Sequence, residues 1–268
     1  MPIEAACIAT MSQPHGASST AAWRISNSRT APLSQSPSGH SAPAALENPM
    51  PQFSALLDGY RRFRTGGYVE QRERYDALAD KGQSPKVMVI ACSDSRVDPT
   101  RVFDTEPGQM FVLRNVANLV PPYVDDPGLH GVSAAVEYAV TQLQVHHIVV
   151  LGHARCGGIA ASFTGQFDDA ANGDGGFIGA WMSMIAPARD RIRAAAALSP
   201  DIDAHSALEL EAIRISIANL RSFPFVAAAE AEGRLQLQGA LFDIADGILR
   251  VLDKDSGRFV AVGIDWGA

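Results

Sequence analysis

A chain of 268 residues with 47% hydrophobic and 19% charged side chains holds enough apolar material for one large core or two small ones. Its net charge of −7 excludes the basic footprint of a nucleic-acid or anionic-membrane binder, and no apolar run is long enough to span a bilayer. Three cysteines at irregular spacing exclude a disulfide framework and suit a reducing compartment, so a soluble cytoplasmic protein is expected.

Residues 1–49 are rich in Ser, Ala and Pro and lack hydrophobic periodicity, which predicts a disordered tail ahead of a folded domain over 50–268. Two explanations of the tail compete. The simpler is a start set upstream of the true one at Met50. The other is an organellar transit segment, for which Arg24 and Arg29 are few basic residues. Order is expected from Phe53, where Phe53, Leu56, Leu57, Tyr60 and Phe63 recur at helical spacing. After a Gly66-Gly67 break, a charged helix is predicted over 69–81. Strand and helix patterns then alternate. Short apolar runs at 86–91 (KVMVIA), 110–113 and 147–151 (HIVVL) read as strands, separated by a helix over 132–143 and followed by one opening at Gly157. A polar, glycine-rich loop at 165–176 precedes helices over 177–197 and 205–221. Two strand-like runs within 235–252 flank Asp246-Gly247, a hairpin-turn sequence. Strands buried on both faces and alternating with helices predict an α/β fold, a mostly parallel sheet core flanked by helices.

The chemistry concentrates in two stretches, Cys92-Ser93-Asp94-Ser95-Arg96 and His153-Ala154-Arg155-Cys156-Gly157-Gly158, each following an apolar run. Cys92 and Asp94 point to one side of an extended chain. His153 and Cys156, three apart where a strand gives way to a helix, share a face. Sites in open α/β sheets gather beyond the carboxyl ends of strands, so adjacent strands would bring both stretches to one point. Two thiolates and an imidazole are zinc donors, with water or Asp94 as a fourth ligand. On the ligands alone a closed structural zinc site stays open. Arg96 favours catalysis, because it can clamp Asp94 in a bidentate pair and hold it off the metal as a hydrogen-bond acceptor.

Other chemistries fit less well. A cysteine-phosphatase loop would need an arginine at Asp98. The glycines of 173–179 place Ile178 where a dinucleotide fingerprint needs its third glycine. A nucleophilic cysteine beside the histidine is possible in principle, but two thiols favour a metal. His130, His146, His147 and His205 are expected at the surface, and Asp168-Asp169 in a solvated loop.

The runs CSDSRVDP (92–99), FVLRNVAN (111–118), Glu137-Tyr138-Ala139 and GHARCGG (152–158), in this order and spacing, resemble the β-class carbonic anhydrases. The resemblance covers the chain from Phe53 to the C-terminus. It implies a parallel four-stranded core with an added edge strand, working as a homodimer or a higher assembly of dimers. It also implies one zinc per chain on Cys92, His153 and Cys156, with Asp94 and Arg96 as the catalytic pair. Gln83 and the backbone N–H of Gly157 would hydrogen-bond the substrate. Phe111, Val116 and Tyr138 would form an apolar lining contributed across the dimer interface. The implied reaction is reversible hydration of carbon dioxide to bicarbonate and a proton, by attack of zinc-bound hydroxide. Hydrolysis of carbon disulfide or carbonyl sulfide on the same scaffold is an alternative. A non-catalytic zinc-binding regulatory homologue is another, against which intact Asp94, Arg96 and Gln83 speak. One subtype of the family carries a tryptophan three residues before its first zinc cysteine, and with it a bicarbonate-stabilised closed state. Val89 stands at that position here, so the resemblance is to the open, plant-like branch.

Overall fold

Strands β1 (Val87–Cys92), β2 (Met110–Asn115), β3 (His147–His153), β4 (Gln236–Phe242), β5 (Leu249–Leu252) and β6 (Phe259–Ala261) form one sheet. Their order across it is β2-β1-β3-β4-β5-β6. The first four are parallel and the last two antiparallel. This computed structural model describes residues 52–263, so the tail predicted for 1–49 lies outside the described residues. From Ala55 onward the chain belongs to one unit. The expected class, a mostly parallel sheet flanked by helices, is found. The resemblance implied one added edge strand, and two are present.

Strand β1 (VMVIAC) carries no charge because both its faces are covered. Its residues alternate between two cores, as a period of two requires. Met88 and Ile90 join Ile148, Val150, Ile213, Ile217 and Leu220 on one face, while Val89 and Ala91 join Leu151 and Ala240 on the other. The first face is covered by helices α5 (Gly131–Glu137), α9 (Ala204–Leu220) and α10 (Pro224–Ala231). Each fully buried Ile or Leu there contributes about 1.5–3 kcal/mol. Helix α9 approaches the sheet closely because two strand residues lack side chains. A Cβ on Gly152 would lie 2.7 Å from Ile213 Cδ1, and one on Gly239 would lie 2.8 Å from Ile213 Cγ2.

The remaining helices are α1 (Phe53–Thr65), α2 (Gly67–Glu70), α3 (Arg72–Lys81), α4 (Pro99–Val102), α6 (Gly157–Thr164), α7 (Gly176–Met182) and α8 (Ala186–Leu198). Several departures from the sequence pattern have physical causes. The helix expected over 177–197 is broken by a 3-10 turn at Ser183–Ile185, after which Pro187 opens α8. Proline lacks an N–H and suits the first turn of a new helix. Proline also opens α10, which periodicity missed, at Pro224, and α4, at Pro99. The helix expected over 132–143 ends at Glu137 and continues as one wide π-turn, Tyr138–Gln142. Asp168 is not simply solvated. The almost fully buried Arg189 donates to both its carboxylate oxygens at 2.9 Å and to Ser162 O at 3.2 Å, which pins the glycine-rich loop. No residue of α1 is buried, although it carries Leu56, Leu57, Tyr60 and Phe63. Among the described residues no helix is long and apolar enough to cross a membrane.

Candidate metal centre

Cys92 is the last residue of β1 and His153 the last of the adjacent β3, so parallel pairing brings two donors to one end of the sheet. Cys156 follows three residues later as the N-cap of α6. Its Sγ lies 3.9 Å from Cys92 Sγ, and the three donor atoms all fall within 4.8 Å of one another. All three residues are buried. His153 Nδ1 donates to the Ala154 carbonyl at 3.0 Å, which leaves the Nε2 lone pair free. That Nε2 is buried with no hydrogen-bond partner. An orphaned acceptor beside two thiols fits a thiophilic cation, since leaving such an atom unsatisfied costs about 1–3 kcal/mol.

The sulfurs share their charge unequally. The hydrogen bond from Cys156, with the neighbouring His153 imidazole and the backbone at Asp94 and Ala117, pulls the Cys92 thiol well below its ordinary value. The same bond, together with burial, pushes Cys156 up. A metal held by both sulfurs would remove this asymmetry, because a coordinating thiol is deprotonated outright. Burial pulls the His153 imidazole down, but the adjacent Cys92 sulfur, the Ala154 carbonyl and the nearby negative charges together carry it above its ordinary value.

Asp94 stands at the rim of this cluster, with Oδ2 3.8 Å from His153 Nε2. Arg96 donates to it three times: Nε to Oδ1 at 2.9 Å, Nη2 to Oδ2 at 2.7 Å, and the backbone N–H to Oδ1 at 2.9 Å. These bonds hold the Asp94 carboxyl far below the usual carboxylate range. Arg96 Nη2 is itself anchored on the Arg155 carbonyl at 3.0 Å. The loop carrying Asp94 is stitched from β2, where Arg114 donates to the carbonyls of Cys92 (2.9 Å), Asp94 (2.7 Å) and Val97 (2.8 Å). Behind Cys156, the buried Glu209 of α9 accepts its backbone N–H at 3.0 Å. Sequence reasoning passed over both Arg114 and Glu209. Each is a charged residue inside an apolar stretch, which was the available signal.

The residues singled out from the sequence divide into two sets. Cys92, Asp94, Arg96, His153, Cys156 and Gly157 come together at the carboxyl ends of β1 and β3. Val116 joins them, exposed, and only 3.0 Å from where a Cβ on Gly158 would stand. Its carbonyl accepts from Trp181 Nε1 at 2.8 Å, a contact with no sequence signal. From Ser93 and Val116 an apolar depression of about 630 Å³ runs past Phe177 and Trp181. Phe111 lies opposite Met88, whereas Asn115 lies opposite Cys92. Four strand residues, roughly 13 Å, therefore separate Phe111 from the metal end. It packs on Tyr138, ring centroids 5.8 Å apart, and Tyr138 is exposed. Gln83, also exposed, precedes the amino end of β1. Within one chain these three do not reach the cluster.

The family model described as Carbonic anhydrase matches residues 87–249, a span that contains every donor of the cluster. The chain is 36% identical over 208 residues to beta carbonic anhydrase 3 of Arabidopsis thaliana, covering 78% of this chain and 80% of the relative. Among solved structures it is similar to the β-carbonic anhydrase CcaA, with TM-score 0.71 and 29% identity over 79% of this chain and 92% of that one. A Coccomyxa β-carbonic anhydrase bound to acetazolamide superposes with TM-score 0.64 at 28% identity, covering 79% and 93% of the two chains. One of two tetrameric β-carbonic anhydrases of Sordaria macrospora superposes with TM-score 0.60 at 27% identity, covering 79% and 97%.

Proposed function

Because the chain belongs to the β-class carbonic anhydrases, we propose that Cys92, His153 and Cys156 hold one zinc ion and that Asp94 and Arg96 work beside it. The family activity is that of a carbonate dehydratase, a lyase interconverting carbon dioxide and water with bicarbonate and a proton. The observation that carries the assignment is the orphaned His153 Nε2 facing two thiols, with a clamped carboxylate 3.8 Å away. Bound zinc would supply a Lewis acid that makes water nucleophilic near neutral pH.

The chain's own groups do the rest. Asp94 stays ionised, so it is an acceptor only. Its Oδ2 takes a hydrogen bond from the reacting water and turns a lone pair toward the substrate carbon. Arg96 fixes that carboxylate through two parallel bonds and keeps it from swinging onto the metal. Carbon dioxide is small and nonpolar, and the depression beside Val116 and Trp181 offers it an apolar wall. The N–H of Gly157, in the first turn of α6, is a donor for a substrate oxygen. Direct measurement of proton release from carbon dioxide by the purified protein tests the reading, and carbonyl sulfide and carbon disulfide serve as competing substrates.

Gln83, Phe111 and Tyr138 complete a site only in a second copy, so the working form is a homodimer or an assembly of dimers. Gln83→Ala and Cys156→Ser should each be impaired alone. Co-expressed, they should recover about a quarter of wild-type activity, because about half of the dimers are mixed and each mixed dimer has one intact site. No recovery in isolated mixed dimers would place Gln83 in its own chain's site or in none.

Val89 is fully buried in the sheet face away from the cluster, with Val87 and Val149, where the closed-state subtype carries its tryptophan. We assign the protein to the branch without a closed state. Asp94 is ionised above its lowered pKa, so acidification from pH 8 to 6 does not protonate it. Activity should fall smoothly over that range, following the reacting water alone. A steep loss that added bicarbonate deepens would put the chain in the other subtype.

A further inference from the structure

Glu209 is 6% exposed on α9, one turn before Ile213, the side chain seated over Gly152 and Gly239. A carboxylate in such a place is costly unless it is hydrogen-bonded. Its partners are backbone N–H groups of the metal loop: Cys156 N–H at 3.0 Å, with Arg155 N–H beside it. Arg155 has φ +57, a left-handed conformation that costs a residue with a Cβ about 1–2 kcal/mol. That strained turn has two outputs. It sets Cys156 Sγ 3.9 Å from Cys92 Sγ, and it aims the Arg155 carbonyl at Arg96 Nη2, 3.0 Å away.

We propose that Glu209 is a positioning residue of the metal centre. Its buried carboxylate holds the Arg155-Cys156 turn, and through that turn both the Cys156 ligand and the Arg96 clamp on Asp94. The inference rests on the zinc reading. Helix α9 is a firm base for it, because the absent side chains of Gly152 and Gly239 fix how closely the helix approaches β3 and β4. A group that orients a ligand from behind is worth about 10–100-fold in metal affinity.

The test is the zinc dissociation constant, measured by chelator competition on full-length protein. Glu209→Leu removes the acceptor and fills the space. It should bind zinc about 10–100-fold more weakly and shift the thiolate charge-transfer band of the cobalt-substituted protein. Glu209→Gln keeps an oxygen acceptor of the same reach and should recover most of the loss. Ile213→Val, on the same helix, should lower thermal stability while leaving affinity and cobalt spectrum unchanged. Leucine-variant affinity within about threefold of wild type, or a glutamine variant as weak as the leucine one, overturns the inference. Should the leucine variant fail to fold, amide exchange at Cys156 in the zinc-loaded wild type decides: strong protection supports the bond, and rapid exchange overturns it. A wild type that takes up no zinc overturns the metal reading and this inference with it. A zinc-loaded wild type with an unaffected leucine variant overturns the inference alone.

Discussion

Replacing Cys156 with serine is expected to strip zinc and turnover together. A serine hydroxyl is a poor, hard donor for a site built from two thiols and an imidazole, and it does not ionise near neutral pH. Loss of a ligand should exceed the loss caused by removing a group that merely supports one, so zinc affinity should fall by more than about 100-fold. The fold should persist, because Cys156 adds little apolar area beside Ile159, Met182 and Ile185 in its cluster. Cys92→Ser and His153→Ala should behave alike, since the three donor atoms all lie within 4.8 Å of one another. Elemental analysis beside a proton-release assay checks the claim. Full zinc occupancy in Cys156→Ser would remove it from the ligand set.

Arg96→Ala should separate what Cys156→Ser joins. No hydrogen bond joins Arg96 to the three donors; its bonds go to Asp94 and to the Arg155 carbonyl. Without it, Asp94 is released within 3.8 Å of His153 Nε2, close enough to take the metal's remaining position or to lose its aim. Turnover should drop about 100-fold or more, the usual cost of misplacing a group that handles a proton. Zinc content should stay near wild type, because a ligand is gained or none is lost. Arg96→Lys should not rescue, since an ammonium cannot make the two parallel bonds of a guanidinium. If Arg96→Ala lost its zinc, the arginine would be a structural part of the metal site.

The donors were legible because each one abuts a strand that announces itself. A parallel strand covered on both faces must be an apolar run, and KVMVIA and HIVVL both end within a few residues of a ligand. Spacing then placed Cys92 with Asp94 and His153 with Cys156. What stayed hidden was support from distant chain. Glu209 reaches a backbone N–H 53 residues away, and Trp181 a carbonyl 65 residues away. Neither bond leaves a local pattern, although Glu209 lies in line with Ile213, Ile217 and Leu220 on a buried face whose other polar residue is Ser216. Arg114 sat in plain view inside FVLRNVAN, but its three carbonyl acceptors belong to another loop. The broken helix near Ser183–Ile185 failed for a different reason, because periodicity runs on through a tight turn that keeps the same face inward. Gln83 lies exposed ahead of β1, away from the cluster within one chain, so no local pattern marks a role for it.

The pairing of β1 with β3 also bears on how the protein acquires its ion. Cys92 and Cys156 are separated by 64 residues, so their meeting requires closure of a long loop before any strand contact rewards it. During synthesis, then, the nascent chain can offer a passing ion only the local His153/Cys156 pair until the parallel strands dock. The complete donor set is a product of late folding, and an ion bound there acts as a clasp on the native state alone. Metal scarcity would therefore cost the folded chain its turnover and also narrow its margin over the unfolded state.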